Sequence, residues 1–206
     1  METLKVRLLP YILAMAIVVV ASNVLVQYPF AHFGLGEILT WGAFTYPFAF
    51  FVNDVTNRRY GSKAARLVVV AGFVLAVALS VWLATPRIAI ASGTAFFVAQ
   101  MLDTSVFGAL RRQAWWKAPF VSTMFGSAID TVIFFGIAFA PVFAGIDAAF
   151  GMEDGSLGFP ASLFGVEMPL YASLALGDFM VKIMIGVAAL LPYAGFLKWT
   201  DNLKTA

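Results

Sequence analysis

The chain has 206 residues, of which 62% are hydrophobic and 12% charged, and its mean hydropathy is +0.91. A soluble domain carries about a quarter of its residues as charges, so this composition excludes a water-facing globule and predicts a single membrane domain over 1–206. The absence of cysteine excludes disulfides, thiol nucleophiles and thiolate metal sites. The net charge of +2, with no basic run interleaved with stacking aromatics, excludes a nucleic-acid partner.

A helix needs about 20 apolar residues to cross a bilayer. In chain order the predicted spans are Leu8–Tyr28, Leu35–Asn53, Leu67–Ala84, Ile88–Leu110, Pro119–Ala144 and Tyr171–Leu197. None alternates apolar and polar residues as a barrel strand would. The fold class is therefore an all-α integral membrane protein of six transmembrane helices. The basic, then apolar, start of the chain has no small-residue cleavage site followed by a soluble domain, and reads as the first span. The one long connection, about Gly145 to Leu170, is rich in Gly and acid, and part of it is expected to form a short interfacial helix.

Basic residues orient the spans. Lys5, Arg7, Arg58, Arg59, Lys63, Arg66, Arg111, Arg112, Lys117, Lys198 and Lys204 fall on one side, and Arg87 alone falls on the other. The long connection carries Asp147, Glu153, Asp154 and Glu167 and no Lys or Arg. The positive-inside rule then predicts both termini in the cytoplasm, and this agrees with an even number of spans. Trp41, Trp82, Trp115, Trp116 and Trp199 fall near the predicted interfaces, where belt tryptophans are expected.

The informative residues are the polar ones inside the spans. An Asp or Lys at the bilayer centre costs roughly 2.5–3.5 kcal/mol on insertion scales, so each requires a partner or a use. Asp103, Asp130, Asp178 and Lys182 stand out, accompanied by Asn23, Gln27, Gln100, Ser122 and Ser127. At helical rise Asp103 lies about 22 Å from the outer end of its span, Asp130 about 17 Å from the inner end and Lys182 about 16 Å from the outer end. Asp130 and Lys182 are thus near the midplane. Gln100, Asp103 and Phe107 share one helix face, as do Ser122, Gly126, Asp130 and Phe134, and also Asp178, Lys182 and Gly186. Each has a plainer reading: Asp178 and Lys182 neutralise one another, Ser122 and Ser127 bond back to carbonyls, and Asn23 joins helices. His32, alone in an outer loop, is expected to be uninvolved. Asp103-Thr104 is echoed by Asp130-Thr131, a match too short to argue duplication.

Carboxylates, amides and one ammonium at the midplane, beside aromatics, suit a planar polar solute. A carboxylate accepts from the donor edge of a purine-like ring, and aromatic faces stack on it. Such a site is what a transporter requires. Intramembrane hydrolysis would require a paired nucleophile and base or a metal site, and the single His lies in a loop, so the chain is not read as an enzyme. No cofactor or metal is expected. The expected partners are a small purine-like substrate and the lipid bilayer.

The stretch Trp41-Gly42-Ala43-Phe44-Thr45-Tyr46-Pro47 through Asn53-Asp54 into Tyr60-Gly61 is followed by Gln100 and Asp103, Ser122, Ser127-Ala128-Ile129-Asp130-Thr131 and Lys182. This pattern resembles the queuosine-precursor transporter family, also called the vitamin-uptake-like family, over essentially all six spans. The resemblance implies import of a 7-deazaguanine precursor, such as 7-cyano-7-deazaguanine, across the bacterial inner membrane. The expected substrate-binding residues are then Asn23, Gln100, Asp103, Ser127, Asp130 and Lys182. Asp130 or Asp103 would hold the donor edge, and Gln100, Asn23 and Ser127 would read the remaining groups. The alternative is a substrate-binding subunit of an energy-coupling vitamin transporter. Such subunits dock through small residues on the first helix, where Ala14, Ala16 and Ala21 form no regular ladder.

Overall fold

A computed structural model of the protein describes residues 2–26, 28, 30–32, 39–163 and 165–205. In chain order the helices are α1 (Glu2–Leu25), α2 (Gly42–Thr45), α3 (Phe48–Tyr60), α4 (Ser62–Leu83), α5 (Pro86–Leu110), α6 (Lys117–Phe139), α7 (Ala144–Ala149) and α8 (Leu170–Thr205). A short 3-10 turn, Pro141–Phe143, precedes α7, and strands β1 (Pro160–Leu163) and β2 (Val166–Pro169) pair antiparallel before α8. Among the described residues, five helices are long and apolar enough to cross a membrane: Arg7–Leu25, Ser62–Leu83, Pro86–Leu110, Lys117–Phe139 and Leu170–Thr200. In hydrocarbon every backbone N–H and C=O must be satisfied within the chain, and a helix does this at every residue. Ile17, Val74, Trp82, Val132 and Leu191 are among the most exposed large apolar side chains, as on lipid-facing surfaces. The chain is an all-α, multi-pass membrane protein.

The second predicted span differs most from expectation. Residues 35–38 of it, and Gln27 before it, lie outside the described residues. The rest is a broken helix, because Pro47 has no N–H to donate and separates α2 from α3. The helix then continues past the predicted end at Asn53 to Tyr60, so Asp54, Asn57 and Arg58 belong to α3 and not to a loop. Gly61, at φ 86°, ends it in a conformation that side chains with a Cβ disfavour. α6 stops at Phe139 rather than Ala144, since Ala140 is extended and Pro141 follows. α8 runs on past Leu197 to Thr205.

α5 begins with Thr85, whose side chain accepts from the Ile88 N–H, and with Pro86 at its first position. It packs along α6, and α4 packs against both α1 and α5. The central apolar cluster holds Met15, Val19, Ala49, Val52, Val68, Val69, Ala76 and Phe96. A Cβ on Gly126 of α6 would fall 2.6 Å from the Phe50 ring and 3.3 Å from Asp103 Cβ, so glycine is what lets α6 approach α3 and α5.

The two ends of the bundle are built differently. At one, Arg58 Nη1 donates to the Arg111 carbonyl at 2.6 Å and Arg111 Nη2 returns the bond to the Arg58 carbonyl at 2.6 Å. At the other, Arg87 is buried and ties down the long connection. Its Nη1 meets Asp147 at 2.6 Å and Ser156 at 3.1 Å, while Nε and Nη2 bond the Ile137 and Ala140 carbonyls at the end of α6. A cation there complements the negative end of that helix. Asp154 adds a 3.5 Å contact to Arg87. Hydrogen bonds from Ser156, aided by Arg87, hold its exposed carboxyl below the usual carboxylate range.

Candidate functional site

A cavity of about 550 Å3 opens between α1, α2, α4, α5, α6 and α8, within the range of small-molecule sites. Its rim is formed by Val26 at the end of α1, by Leu83, Ala84, Thr85 and Ile88 at the α4–α5 turn, and by Phe139 at the end of α6. All of these lie at the Arg87 end of the bundle. The deep end is polar: Tyr46, Asp130, Asp178 and Lys182.

The break at Pro47 sets the position of Tyr46, whose hydroxyl donates to Asp130 Oδ1 at 2.8 Å. Lys182 Nζ donates to Asp130 Oδ2 at 2.6 Å, to Thr131 Oγ1 at 3.3 Å and to Asp178, one turn back on its own helix. It also lies 5.3 Å from the Tyr46 ring centroid. Thr131 Oγ1 donates to Asp178 Oδ2 at 3.0 Å. All three ammonium donors are engaged, and the two carboxylates with one ammonium leave a formal charge of −1. A net acceptor surface of this kind favours a ligand that presents N–H groups.

Higher in the cavity, Asn23 Oδ1 accepts from Ser80 at 3.4 Å and its Nδ2 donates to the Val19 carbonyl at 2.9 Å. Ser22 donates to Thr45 at 3.0 Å, joining α1 to α2. Phe134, Phe135 and Phe139 form an aromatic wall in which Phe134 and Phe135 meet edge-on at 5.2 Å. Below Tyr46, the rings of Phe50 and Phe96 close the floor at 6.3 and 6.2 Å from it.

Beyond that floor lies a second polar cluster, fully buried. Asn53 Nδ2 donates to Asp103 Oδ2 at 2.8 Å, to Thr104 Oγ1 at 2.9 Å and to the Gln100 carbonyl at 3.3 Å. Asn57 Nδ2 donates to the Thr104 carbonyl at 2.9 Å. Ser122 and Thr123 donate to the two oxygens of Asp54 at 3.2 and 3.4 Å. Asp103 Oδ1, both side-chain ends of Gln100, Ser127 Oγ and the Tyr193 hydroxyl are buried with no partner among the described residues.

The six expected site residues therefore divide. Asn23, Asp130 and Lys182 line the cavity. Gln100, Asp103 and Ser127 do not; they are fully buried on or below its floor. Asp178, which stands out in the sequence but is not among the six, also lines the cavity. Tyr46 and Asp54 are not among the six expected site residues. Tyr-Pro inside an apolar run was the available signal for the first. For the second it was the helical spacing of Asn53, Asn57 and the basic pair after them, which continues the span past its assumed end. Among the described residues no cluster of His, Asp or Glu could hold a metal ion.

The family model described as "Putative vitamin uptake transporter" matches residues 40–85 and 79–196. The "Queuosine precursor transporter" of Escherichia coli (strain K12) is 34% identical over 202 residues, covering 88% of this chain and 81% of its own. The "Probable queuosine precursor transporter" of Haemophilus influenzae (strain ATCC 51907 / DSM 11121 / KW20 / Rd) is 32% identical over 209 residues, covering 86% and 80%. One of the same description from Bacillus subtilis (strain 168) is 29% identical over 152 residues, covering 60% and 66%. No solved structure matches the chain significantly.

Proposed function

The chain belongs to the queuosine precursor (vitamin uptake) transporter family, and on that premise we propose that it carries a 7-deazaguanine, such as 7-cyano-7-deazaguanine, across the bacterial inner membrane. The observation that carries this reading is Asp130, an accepting carboxylate at the deep end of a closed-floored cavity with a phenylalanine wall above it. The ring N–H and amino group of a deazaguanine form a two-donor edge that one carboxylate accepts. Phe134 and Phe135 supply faces for the ring. Asn23 and Ser80, on the opposite wall, are suited to the substituents of the five-membered ring. Of the two carboxylates weighed for the donor edge, Asp130 is preferred over Asp103 because it faces the open volume.

We read six crossings, with the broken pair α2–α3 as the second. From Gly42 to Tyr60 the chain reaches about 28 Å at helical rise, close to a hydrocarbon thickness. Discontinuous helices of this kind line substrate sites in transporters. The basic residues Arg58, Arg59, Arg111 and Lys117 favour a cytoplasmic position for their end, which orients the cavity outward. Import would then be completed by opening the floor at Tyr46, Phe50 and Phe96.

The test is genetic and direct. In cells unable to make the precursor, Asp130→Ala should abolish precursor-dependent queuosine in tRNA while membrane levels of the protein stay normal. Normal modification at normal expression would sink the assignment of Asp130.

A further inference from the structure

The buried cluster below the floor contains two carboxyl groups that the substrate reading does not use. Asp54 of α3 and Asp103 of α5 lie within hydrogen-bonding reach of one another; Ser122 donates to Asp54, and Asp103 Oδ1 has no other donor among the described residues. Among the described residues the donors to them are neutral: Asn53, Ser122 and Thr123. Among the described residues neither carboxyl is in an ion pair, whereas Asp130 and Asp178 share Lys182. The nearest titratable or charged groups on the packed elements are Arg58 on α3, Arg111 after α5 and Tyr193 on α8. The two arginines are held to each other's carbonyls. On this face α6 contributes the hydroxyls of Ser122 and Thr123 and, two turns on, Asp130, which is paired with Lys182.

We propose that Asp54 and Asp103 form a proton-binding pair that couples substrate movement to a proton gradient. The proposal rests on the transport reading above. Two carboxylates in hydrogen-bond contact without a cation cannot both be ionised, so the pair shares one proton and is able to take a second. An independent observation points to the same ligand. Asp54 lines a pocket of about 10 Å3 together with Thr123, Gly186 and Tyr193, which is room for about one water. Tyr193 is 1% exposed, and its hydroxyl has no partner among the described residues. A water there would connect the carboxyl to the Tyr193 side of the pocket, which is what a proton entering from the basic end of the bundle requires.

Both clusters are carried by the same two elements. The α2–α3 segment presents Tyr46 to Asp130 and, two turns on, Asp54 to Ser122. α6 presents Ser122 and Thr123 to Asp54 and, two turns on, Asp130 to Tyr46 and Lys182. A second proton on the pair neutralises the charge on the oxygens that accept from Ser122 and Thr123 and weakens both bonds, loosening α3 from α6. The Tyr46–Asp130 bond then opens with the floor. In the reverse sense, substrate that displaces Tyr46 from Asp130 alters the setting of the pair.

The test uses purified protein in lipid vesicles and has two arms. Infrared difference spectra across a pH titration follow the carboxylic-acid carbonyl stretch. Wild type should show a protonated-acid band at neutral pH that is lost in Asp54→Asn and in Asp103→Asn and kept in Asp130→Asn. In the second arm, vesicles receive labelled 7-cyano-7-deazaguanine with an acidic exterior. For one proton per substrate, wild type should accumulate up to about tenfold per pH unit. Asp54→Asn should only equilibrate, yet still exchange labelled for unlabelled substrate, and that exchange also certifies its fold; Asp103→Asn provides the same comparison. A band unchanged in both variants overturns the proton site. Uptake by wild type that ignores the gradient, or gradient-driven accumulation that persists in either variant, overturns the coupling. No uptake by wild type, with the band present and pair-dependent, overturns the deazaguanine reading and retains the proton site.

Discussion

Asp103-Thr104 and Asp130-Thr131 are the same dipeptide on neighbouring helices, and the fold gives them opposite surroundings. Asp130 ends at the bottom of an open cavity, compensated by the Lys182 ammonium and reached by the Tyr46 hydroxyl. Asp103 ends in a sealed cluster, where the Asn53 amide donates to Oδ2 and Oδ1 has no partner among the described residues. Thr131 bonds outward to Asp178 and Lys182, whereas Thr104 turns back to the Gln100 carbonyl and to Asn53. On the proposals above, the carboxylate with a cation is the ion-pair site that a polar solute enters by exchange, and the carboxyl with neutral donors is the site for a proton. The lesson is that a membrane-buried Asp is interpreted by its partners more than by its depth.

This contrast can be broken from either side. The largest effect is expected for Lys182→Met, which strands Asp130 and Asp178 against each other. Leaving one member of a buried pair uncompensated costs about 3–5 kcal/mol, so a marked fall in melting temperature in detergent should accompany loss of uptake. Adding Asp130→Asn should recover much of the stability but none of the transport. A double-mutant cycle that shows simple additivity would remove the ion pair from the account.

Next is Tyr46→Phe, which keeps the ring and removes one bond to a charged acceptor, worth about 1.5–3 kcal/mol. The melting temperature should fall, and because substrate no longer has to displace Tyr46 from Asp130, substrate affinity should rise, by up to about ten- to a hundredfold. An unchanged KM would detach Tyr46 from the site.

On the sealed side, Asn53→Leu leaves Asp103 Oδ2 and Thr104 without their shared donor, at about 1–3 kcal/mol. Here the melting temperature should fall while binding by protein that remains folded is retained. Loss of binding at normal stability would mean that the two clusters are one site. The smallest effect is expected for Thr85→Ala, which removes the cap of α5 at the cavity rim and costs about 1 kcal/mol. It should lower the melting temperature slightly and leave uptake near wild type.

Much of this was legible in the residues. Composition and apolar run length determined the membrane class, because a bilayer admits only elements that satisfy their own backbone. The i, i+4 spacing alone placed Asp178 beside Lys182 and aligned Ser122, Gly126 and Asp130 on one face of α6. The resemblance carried by Tyr46-Pro47, Asn53-Asp54 and Asp130-Thr131 indicated the family.

What the tertiary structure decided is which polar residues meet. Lys182 chooses Asp130 from 52 positions away, and Asn53 chooses Asp103 from 50. Neither pairing has a periodic signature, since it depends on how α3, α5, α6 and α8 cross. The midplane shelf read from depth alone thus divides at Phe50 and Phe96 into a cavity with Asn23, Asp130 and Lys182 and a sealed cluster with Asp103. Depth along a span is a property of one helix and can be counted from the sequence. A floor between two sites is made of side chains from different helices, and only their packing creates it.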